Sequence, residues 1–273
     1  MLPACRRHQG HILRSGSIHP FNKGSLAKIS SMKISVIIPN YNYAQYLFEC
    51  LSSVLASDLD GRYYEVLVVD DASTDHSVAL VRDLSFHYQK PIRIIRNPIN
   101  SGLVITRNNG IKEALGEYLF FLDADNCISP SCLSRHLDMM ESDPDIVACY
   151  ASIQDFHTTI SEKRGIRSNA PFDYERLRSG NYIDAMAMFR ADIFSRLGPY
   201  DTNMPMFGWE DYELWLRLGL HGCRVEFIPG PPLSYYRIHD SCMTRNVTTV
   251  HMHTLWKYLH ERYDLYFKIG EAS

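Results

Sequence analysis

At 273 residues the chain has room for one large domain or two small ones, and for a sizeable core. Apolar residues make up 45%, charged residues 22% and aromatic residues 12%, the balance of an ordinary globular protein with no fibrous or low-complexity bias. A net charge of −3 leaves no basic footprint for nucleic acid, and no apolar run approaches the ~20 residues of a membrane-spanning helix.

The seven Cys, at 5, 50, 127, 132, 149, 223 and 242, contain no Cys-x-x-Cys pair. Cys50 and Cys149 sit in apolar periodic segments, so reduced core thiols in a cytoplasmic protein are expected here, and neither disulfides nor zinc. The first 31 residues are basic, free of acid and rich in Ser, Gly and His, without the apolar segment of a secretory signal. Residues 1–32 are therefore expected to be a disordered tail, or translated upstream sequence with Met32 as the natural start.

From there strands and helices alternate. Residues 33–39 form an apolar run ended by Pro39, a buried strand. Asn42 is expected to cap a helix whose stripe is Leu47, Cys50, Leu51, Val54 and Leu55. Residues 64–69 are a second strand ending in Asp70-Asp71, and Ser73 or Thr74 is expected to cap the next helix. Residues 92–95, the turn Asn100-Ser101-Gly102 and a helix to Leu115 follow. Residues 117–122 are the fourth strand; a helix over 130–141 and a strand over 146–150 complete the run.

Such alternation predicts an α/β fold with a doubly wound, mostly parallel sheet, whose ligands bind beyond the carboxyl ends of the strands. Asn40 to Asn42, Asp70-Asp71, the Asn100 turn and Asp123-Ala124-Asp125 all lie at those ends. Beyond Tyr150 the pattern loosens. Residues 151–182 read as a polar, irregular loop. Residues 184–189 read as a weak strand and 191–197 as a short helix. A helix opens at Glu210-Asp211, residues 224–228 and 233–238 read as strands, and a helix over 248–269 closes the chain.

The stretch Phe120-Phe121-Leu122-Asp123-Ala124-Asp125-Asn126 carries the strongest chemical signal. In an extended backbone Asp123 and Asp125 face one point. Carboxylates roughly 5 Å apart repel by about 3 kcal/mol at an effective dielectric near 20, so a cation between them is expected. Oxygen donors suit a hard divalent ion, Mg²⁺ or Mn²⁺. A turn built from Asp and Asn is the plain alternative.

Five segments occur in order: Ser35-Val36-Ile37-Ile38-Pro39-Asn40-Tyr41-Asn42; Val68-Val69-Asp70-Asp71-Ala72-Ser73-Thr74-Asp75; Asn100-Ser101-Gly102 with Thr106-Arg107-Asn108-Asn109-Gly110-Ile111; Asp123-Ala124-Asp125; and Trp209-Glu210-Asp211. Together they resemble the family 2 glycosyltransferases over about residues 33–240. The resemblance implies the GT-A fold, with residues 33–150 as the nucleotide-sugar half, 151–240 as the acceptor half and 241–273 as a helical extension. It also implies an inverting transfer from a nucleotide-diphosphate-sugar to a glycan or lipid-linked acceptor, assisted by Mn²⁺ or Mg²⁺.

Roles carried over by the resemblance are these. Pro39 and Tyr41 lie at the nucleotide. Asp71 resembles the carboxylate that accepts a hydrogen bond from a base N–H, and Arg107 a basic group near the nucleotide. Asp123 looks like the acid near ribose and metal, Asp125 like the direct metal ligand, and His239 in Tyr235-Tyr236-Arg237-Ile238-His239 like the late histidine near metal and diphosphate. Asp211 looks like the base, with Trp209 and Glu210 beside the sugar. Ala72 departs from the usual Gly and is expected to be tolerated unless φ is positive.

Elementary chemistry agrees with such a division. A departing diphosphate gains negative charge that cations neutralise, and the attacking hydroxyl needs a base on the opposite face of the sugar. Each role has a plainer alternative: Glu210 and Asp211 in a first helical turn also complement the helix dipole, worth ~0.3–1 kcal/mol. A phosphoacceptor receiver domain needs its acidic pair on the first strand, and here it follows the second. A sugar nucleotidyltransferase needs a Gly-rich basic loop, which Pro39-Asn40-Tyr41-Asn42 is not. A glycan-binding relative without turnover would lose the carboxylates that this chain keeps. The closing helix carries Trp256, Tyr258, Tyr263, Tyr266 and Phe267 beside Lys257, Arg262 and Lys268, either a cap packed on the domain or a peripheral membrane contact.

Overall fold

The computed structural model describes residues 32–88, 92–162, 164–205, 208–240 and 249–266. The tail expected over residues 1–32 lies outside the described residues except for Met32, as do Cys5, Cys242, Phe267 and Lys268.

Strand β1 (Ile34–Asn40) is buried along its whole length. It pairs in parallel with β2 (Tyr64–Asp70) on one side and β4 (Tyr118–Phe121) on the other, with Ile34 opposite both Tyr64 and Tyr118. Helices α1 (Ala44–Leu55) and α2 (Ser77–Tyr88), strand β3 (Ile92–Arg96) and helix α3 (Leu103–Glu113) complete the expected alternation. They are followed by the two-residue β5 (Cys127–Ile128), α4 (Cys132–Ser142), β6 (Ile146–Ala151), β7 (Ile153–Phe156), β8 (Ile166–Arg167) and α5 (Tyr174–Arg178). Next come β9 (Ala187–Arg190), α6 (Ile193–Arg196), α7 (Glu210–Leu220), β10 (Arg224–Ile228), β11 (Ser234–Arg237) and α8 (Thr249–Tyr263).

The main sheet runs β10-β6-β9-β4-β1-β2-β3, and a smaller one runs β5-β11-β7-β8. Because side chains alternate along a strand, β1 sends Val36 and Ile38 into one core with α1 and α4. Ile37 faces the other way, into a second core with Leu67, Phe121 and Trp215. Residues buried on both faces explain why these strands read as unbroken apolar runs.

In the main sheet β9 breaks the parallel pattern. It is antiparallel to both β4 and β6, with Phe120 opposite Met188 and Tyr150 opposite Ala187. Its beginning therefore lies at the carboxyl edge of its neighbours. Residues 151–182, expected as loop, contain β7, β8 and α5. These elements are only four, two and five residues long, too short for periodicity to register.

Local capping also differs from expectation. Asn42 does not cap α1: with φ of 57° its Oδ1 accepts from the backbone N–H groups of Thr74 and Asp75, at 2.8 and 3.2 Å. The first N–H of α1, from Ala44, goes to Asp75 Oδ2 at 3.0 Å. Asp75 Oδ1 meanwhile accepts from Ser77 N and Oγ at 3.0 and 2.6 Å, starting α2 three residues later than Thr74. One carboxylate thus serves two helices. Ala72 has φ of 61°, so the condition for its tolerance fails, and a residue with a Cβ sits in the left-handed region.

α8 packs on the domain. Leu255 and Leu259 are fully buried, Tyr258 donates to Asp201 Oδ2 at 2.6 Å and Tyr263 to Glu213 Oε1 at 2.5 Å. Its aromatic residues are thus largely turned to the protein, as a capping helix requires. Among the described residues no helix is long and apolar enough to cross a membrane. The five described Cys are free, and four of them, Cys50 and Cys149 included, are buried.

Candidate active site

The carboxyl edge gathers loops from β1, β2, β3 and β4, stitched by buried hydrogen bonds. Asn40 Nδ2 donates to Asp70 Oδ1 and Ser73 Oγ, both at 3.1 Å, joining the ends of β1 and β2. Asp70 also accepts from Ser73 N and pairs with Arg96 Nε at 3.3 Å, a loop-supporting carboxylate.

Asp71 is buried and takes three donors from the β3–α3 turn. Asn97 Nδ2 and Ser101 N reach its Oδ1 and Gly102 N its Oδ2, each at 2.8 Å. Gly102 has φ of 86°, which a glycine adopts without strain. An anionic side chain at this turn also complements the N-terminus of α3. The protein contacts of Asp71 are thus to the turn, leaving one lone pair on Oδ2 without a partner among the described residues.

α3 then delivers Arg107. Gly110 lets the helix lie against β1: a Cβ there would stand 2.5 Å from Ile37 Cγ2 and 3.2 Å from Val69 Cγ2. Arg107, only 2% exposed, donates to Asp123 Oδ1 and to Glu210 Oε1, both at 2.7 Å. Burial alone would lower its proton affinity, but Asp123 and Glu210 more than reverse this, and it stays charged. Glu210 also accepts from Gly208 N at 2.8 Å. Arg107 and Glu210 are therefore tied to protein groups, a bridge joining the acidic loop to the start of α7.

The other acid of the pair, Asp125, meets His239: Oδ2 lies 2.9 Å from Nε2. Burial pushes the Asp125 carboxyl up, with His239 opposing and Asp123 adding to the rise. The His239 ring packs on Tyr46 and Tyr43, at centroid distances of 4.8 and 5.9 Å. Arg237, two residues earlier on β11, holds this loop in place. Its Nε donates to Asp125 O and its backbone N to Asn126 Oδ1, both at 2.9 Å, and its guanidinium pairs with Glu49. Sequence reasoning missed Arg237 and Asn126; the place of Arg237 two residues before His239 was the available signal.

Asp211 opens α7 beside Glu210 and retains partial contact with solvent. Its Oδ1 accepts from Tyr212 N at 2.7 Å. Burial first, then the charges of Glu210 and Asp184, raise its carboxyl well above the usual range, against the smaller pull of Arg107. Trp209 is half-buried, packed edge-on to Tyr212 at 5.6 Å and against the second core, so it serves the fold. Pro39 is the penultimate residue of β1, opposite Val69, and Tyr41 is 42% exposed on the loop that follows. Asp184 and Tyr200, which the sequence reading did not single out, lie within electrostatic reach of these acids.

No group of three or more His, Cys, Asp or Glu suited to a metal occurs among the described residues. Asp125 Oδ2 and His239 Nε2 meet at 2.9 Å and the Asp123 charge acts on Asp125, and these are donor types that Mn²⁺ or Mg²⁺ accepts. Such ions take one or two protein carboxylates and fill their remaining positions with phosphate and water.

Residues 35–198 match the profile of Glycosyl transferase family 2. The glycosyltransferase YwdF of Bacillus subtilis is 32% identical over 212 residues, 75% of this chain and 74% of that protein. Among solved structures, S. aureus TarS 1–349 in complex with UDP-GlcNAc is similar with a TM-score of 0.65 and 20% identity, over 79% of this chain and 61% of that one. The mannosyltransferase PcManGT from Pyrobaculum calidifontis, in complex with GDP-Man and Mn²⁺, has a TM-score of 0.59 and 21% identity, over 77% of this chain and 58% of that one. This chain spans about three fifths of both solved chains. The profile match and the YwdF identity carry the assignment, and the two structures carry the fold: the chain belongs to glycosyl transferase family 2 and is a glycosyltransferase of the GT-A fold.

Proposed function

We propose that this glycosyltransferase moves a sugar from a nucleotide-diphosphate-sugar to a hydroxyl of a glycan or lipid-linked acceptor by direct displacement, inverting the anomeric centre, with Asp211 as base. The observation that carries the reading is the buried run from Asp123 through Arg107 to Glu210, the neighbour of Asp211. It fixes the distance between an acidic donor-side loop and a carboxylate of raised proton affinity, the separation of roles that displacement requires.

In this reading the single lone pair left on Asp71 Oδ2 accepts from a base ring N–H. Pro39 and the exposed Tyr41 border the nucleotide, and Trp209 borders the sugar. Asp125 and His239, with Asp123, would hold a divalent ion, which when bound would supply positive charge against the departing diphosphate. Arg107 keeps Asp123 and Glu210 in place, and Asp211 takes the acceptor proton as the new bond forms. The UDP-GlcNAc held by TarS and the GDP-Man and Mn²⁺ held by PcManGT name the donors and the metal to try first.

The test is a thermal-shift screen of UDP-, dTDP- and GDP-sugars with Mn²⁺, followed by turnover with the donors that bind. A donor at 100 times its Kd stabilises by about 2.7 kcal/mol. Loss of turnover in chelator, in Asp125→Ala and in Asp211→Asn is expected, with the product of opposite anomeric configuration by NMR. Full activity in chelator would remove the metal from the reading, and wild-type activity of Asp211→Asn would remove the base.

A further inference from the structure

Asp184 precedes β9, whose antiparallel course gives it an unusual address. Met188 is opposite Phe120 and Phe189 opposite Leu119, so chain before β9 runs alongside chain after β4. That register brings Asp184 level with the loop carrying Asp123. Asp184 lies within reach of the charges of Asp123 and Arg107, and its own charge reaches Asp211. It is a further carboxylate beside these acids.

Its setting is built. Oδ1 accepts from Met186 N at 3.2 Å, and Oδ2 lies 3.9 Å from Arg167. Arg167 is itself fixed: it grips Asp155 with two bonds of 2.7 and 3.0 Å and lies over the Tyr236 ring at 3.8 Å. At 3.9 Å Arg167 is beyond hydrogen-bond distance of Asp184, whose Oδ2 has no hydrogen bond among the described residues.

An independent observation points to the same place. The Tyr200 hydroxyl is buried and has no hydrogen-bond partner among the described residues. It is near enough to Asp211, Glu210 and Asp123 to feel their charges, and the Arg107 guanidinium lies 5.4 Å from its ring centre. A buried hydroxyl is costly when unpaired, so a polar partner from outside the described residues is expected beside it. A ligand hydroxyl, or a water it carries, fits that description.

We propose that Asp184 and the Tyr200 hydroxyl are specificity-determining groups of the acceptor site, which bind the hydroxyls of a neutral sugar acceptor next to Asp211. Carboxylates favour hydroxyl donors and repel anions, and both nearby cations are tied to protein acids, Arg107 to Asp123 and Glu210, Arg167 to Asp155. The inference rests on the transferase reading above and names the acceptor class for it.

The experiment measures donor and acceptor KM separately in the full chain, using the donor found in the nucleotide-sugar screen and p-nitrophenyl glycosides of neutral hexoses and of uronic acids. Wild type is expected to use neutral glycosides and to discriminate against uronides at least tenfold. Asp184→Asn should raise the KM for the neutral glycoside at least tenfold and leave the donor KM within twofold. Tyr200→Phe removes no hydrogen bond among the described residues, so its melting temperature should hold or rise while acceptor KM increases. Acceptor KM unmoved in either folded variant, donor KM rising in step, or a preference for uronides would each overturn the inference and leave the transferase reading standing. Release of nucleotide from none of the donors would sink both.

Discussion

Arg107 and Glu210, 103 positions apart in sequence, meet at 2.7 Å inside the protein. With Asp123 on its other side, Arg107 links the acidic loop to the helix of Asp211. A buried charge left without its partner is far costlier than the intact pair is stabilising. We therefore expect Arg107→Met to destabilise the protein by about 3–5 kcal/mol and to abolish turnover. Arg107→Met combined with Glu210→Leu should recover much of the stability and none of the activity. Urea midpoints and turnover of the three proteins check this; equal destabilisation in single and double variants would show that the bridge is not what Arg107 supplies.

Ala72 supplies a second case, in which the cost is conformational. An L-residue at φ of 61° is disfavoured by roughly 1–2 kcal/mol. Glycine relieves that but gains unfolded-state entropy worth about 0.4–1 kcal/mol. Ala72→Gly is accordingly expected to stabilise the protein by roughly 0.5–1 kcal/mol, raising Tm by about 1–4 °C for a chain of this size. Calorimetry decides, and a lower Tm would mean that the methyl group has packing contacts that outweigh the strain.

These residues also mark what could be read in advance. Strands such as 34–40 and 64–70 were legible because burial on both faces writes an unbroken apolar run, and their polar ends followed from the parallel topology. Asp125 and His239 could be paired only through family resemblance, since 114 positions separate them and no local pattern joins them. For Arg107 the sequence showed a cation and not which acids close on it, Asp123 and Glu210. The strand at β9 was read as a weak one over 184–189, but not its antiparallel course: a four-residue strand carries no direction, and with it went the position of Asp184.

His136 makes stability depend on pH. It is fully buried, its Nδ1 lies 2.8 Å from Cys132 O, and its Nε2 has no partner among the described residues. Burial pushes its pKa down to about 4 from 6.5, so the folded protein resists a proton that the unfolded chain accepts. Stability should hold above pH 6.5 and fall as pH drops toward 4, by up to about 3 kcal/mol from this residue alone. In His136→Phe that part of the slope should vanish. Parallel urea titrations at pH 7 and pH 4.5 measure it, and an unchanged slope in the variant would assign the dependence to other groups.

Asp211 should show activity and stability pulling in opposite directions. Its carboxyl is raised by burial and by the Glu210 and Asp184 charges, so ionising it at neutral pH costs the folded state free energy. The folded protein binds this proton more tightly than the unfolded chain does. The destabilisation is therefore absent below about pH 3.9, the unfolded value, and grows until pH passes the raised folded value. A base must nonetheless be ionised to act, so turnover should fall as pH is lowered through that raised value. Asp211→Asn is expected to abolish turnover while making the protein more stable at pH 7, with the advantage shrinking as pH is lowered toward 4. Melting curves of wild type and variant across that range, set beside the wild-type pH–rate profile, test both halves. A variant less stable than wild type at pH 7 would mean that Asp211 is held ionised by contacts that stabilise the fold, and that its charge is no burden to it.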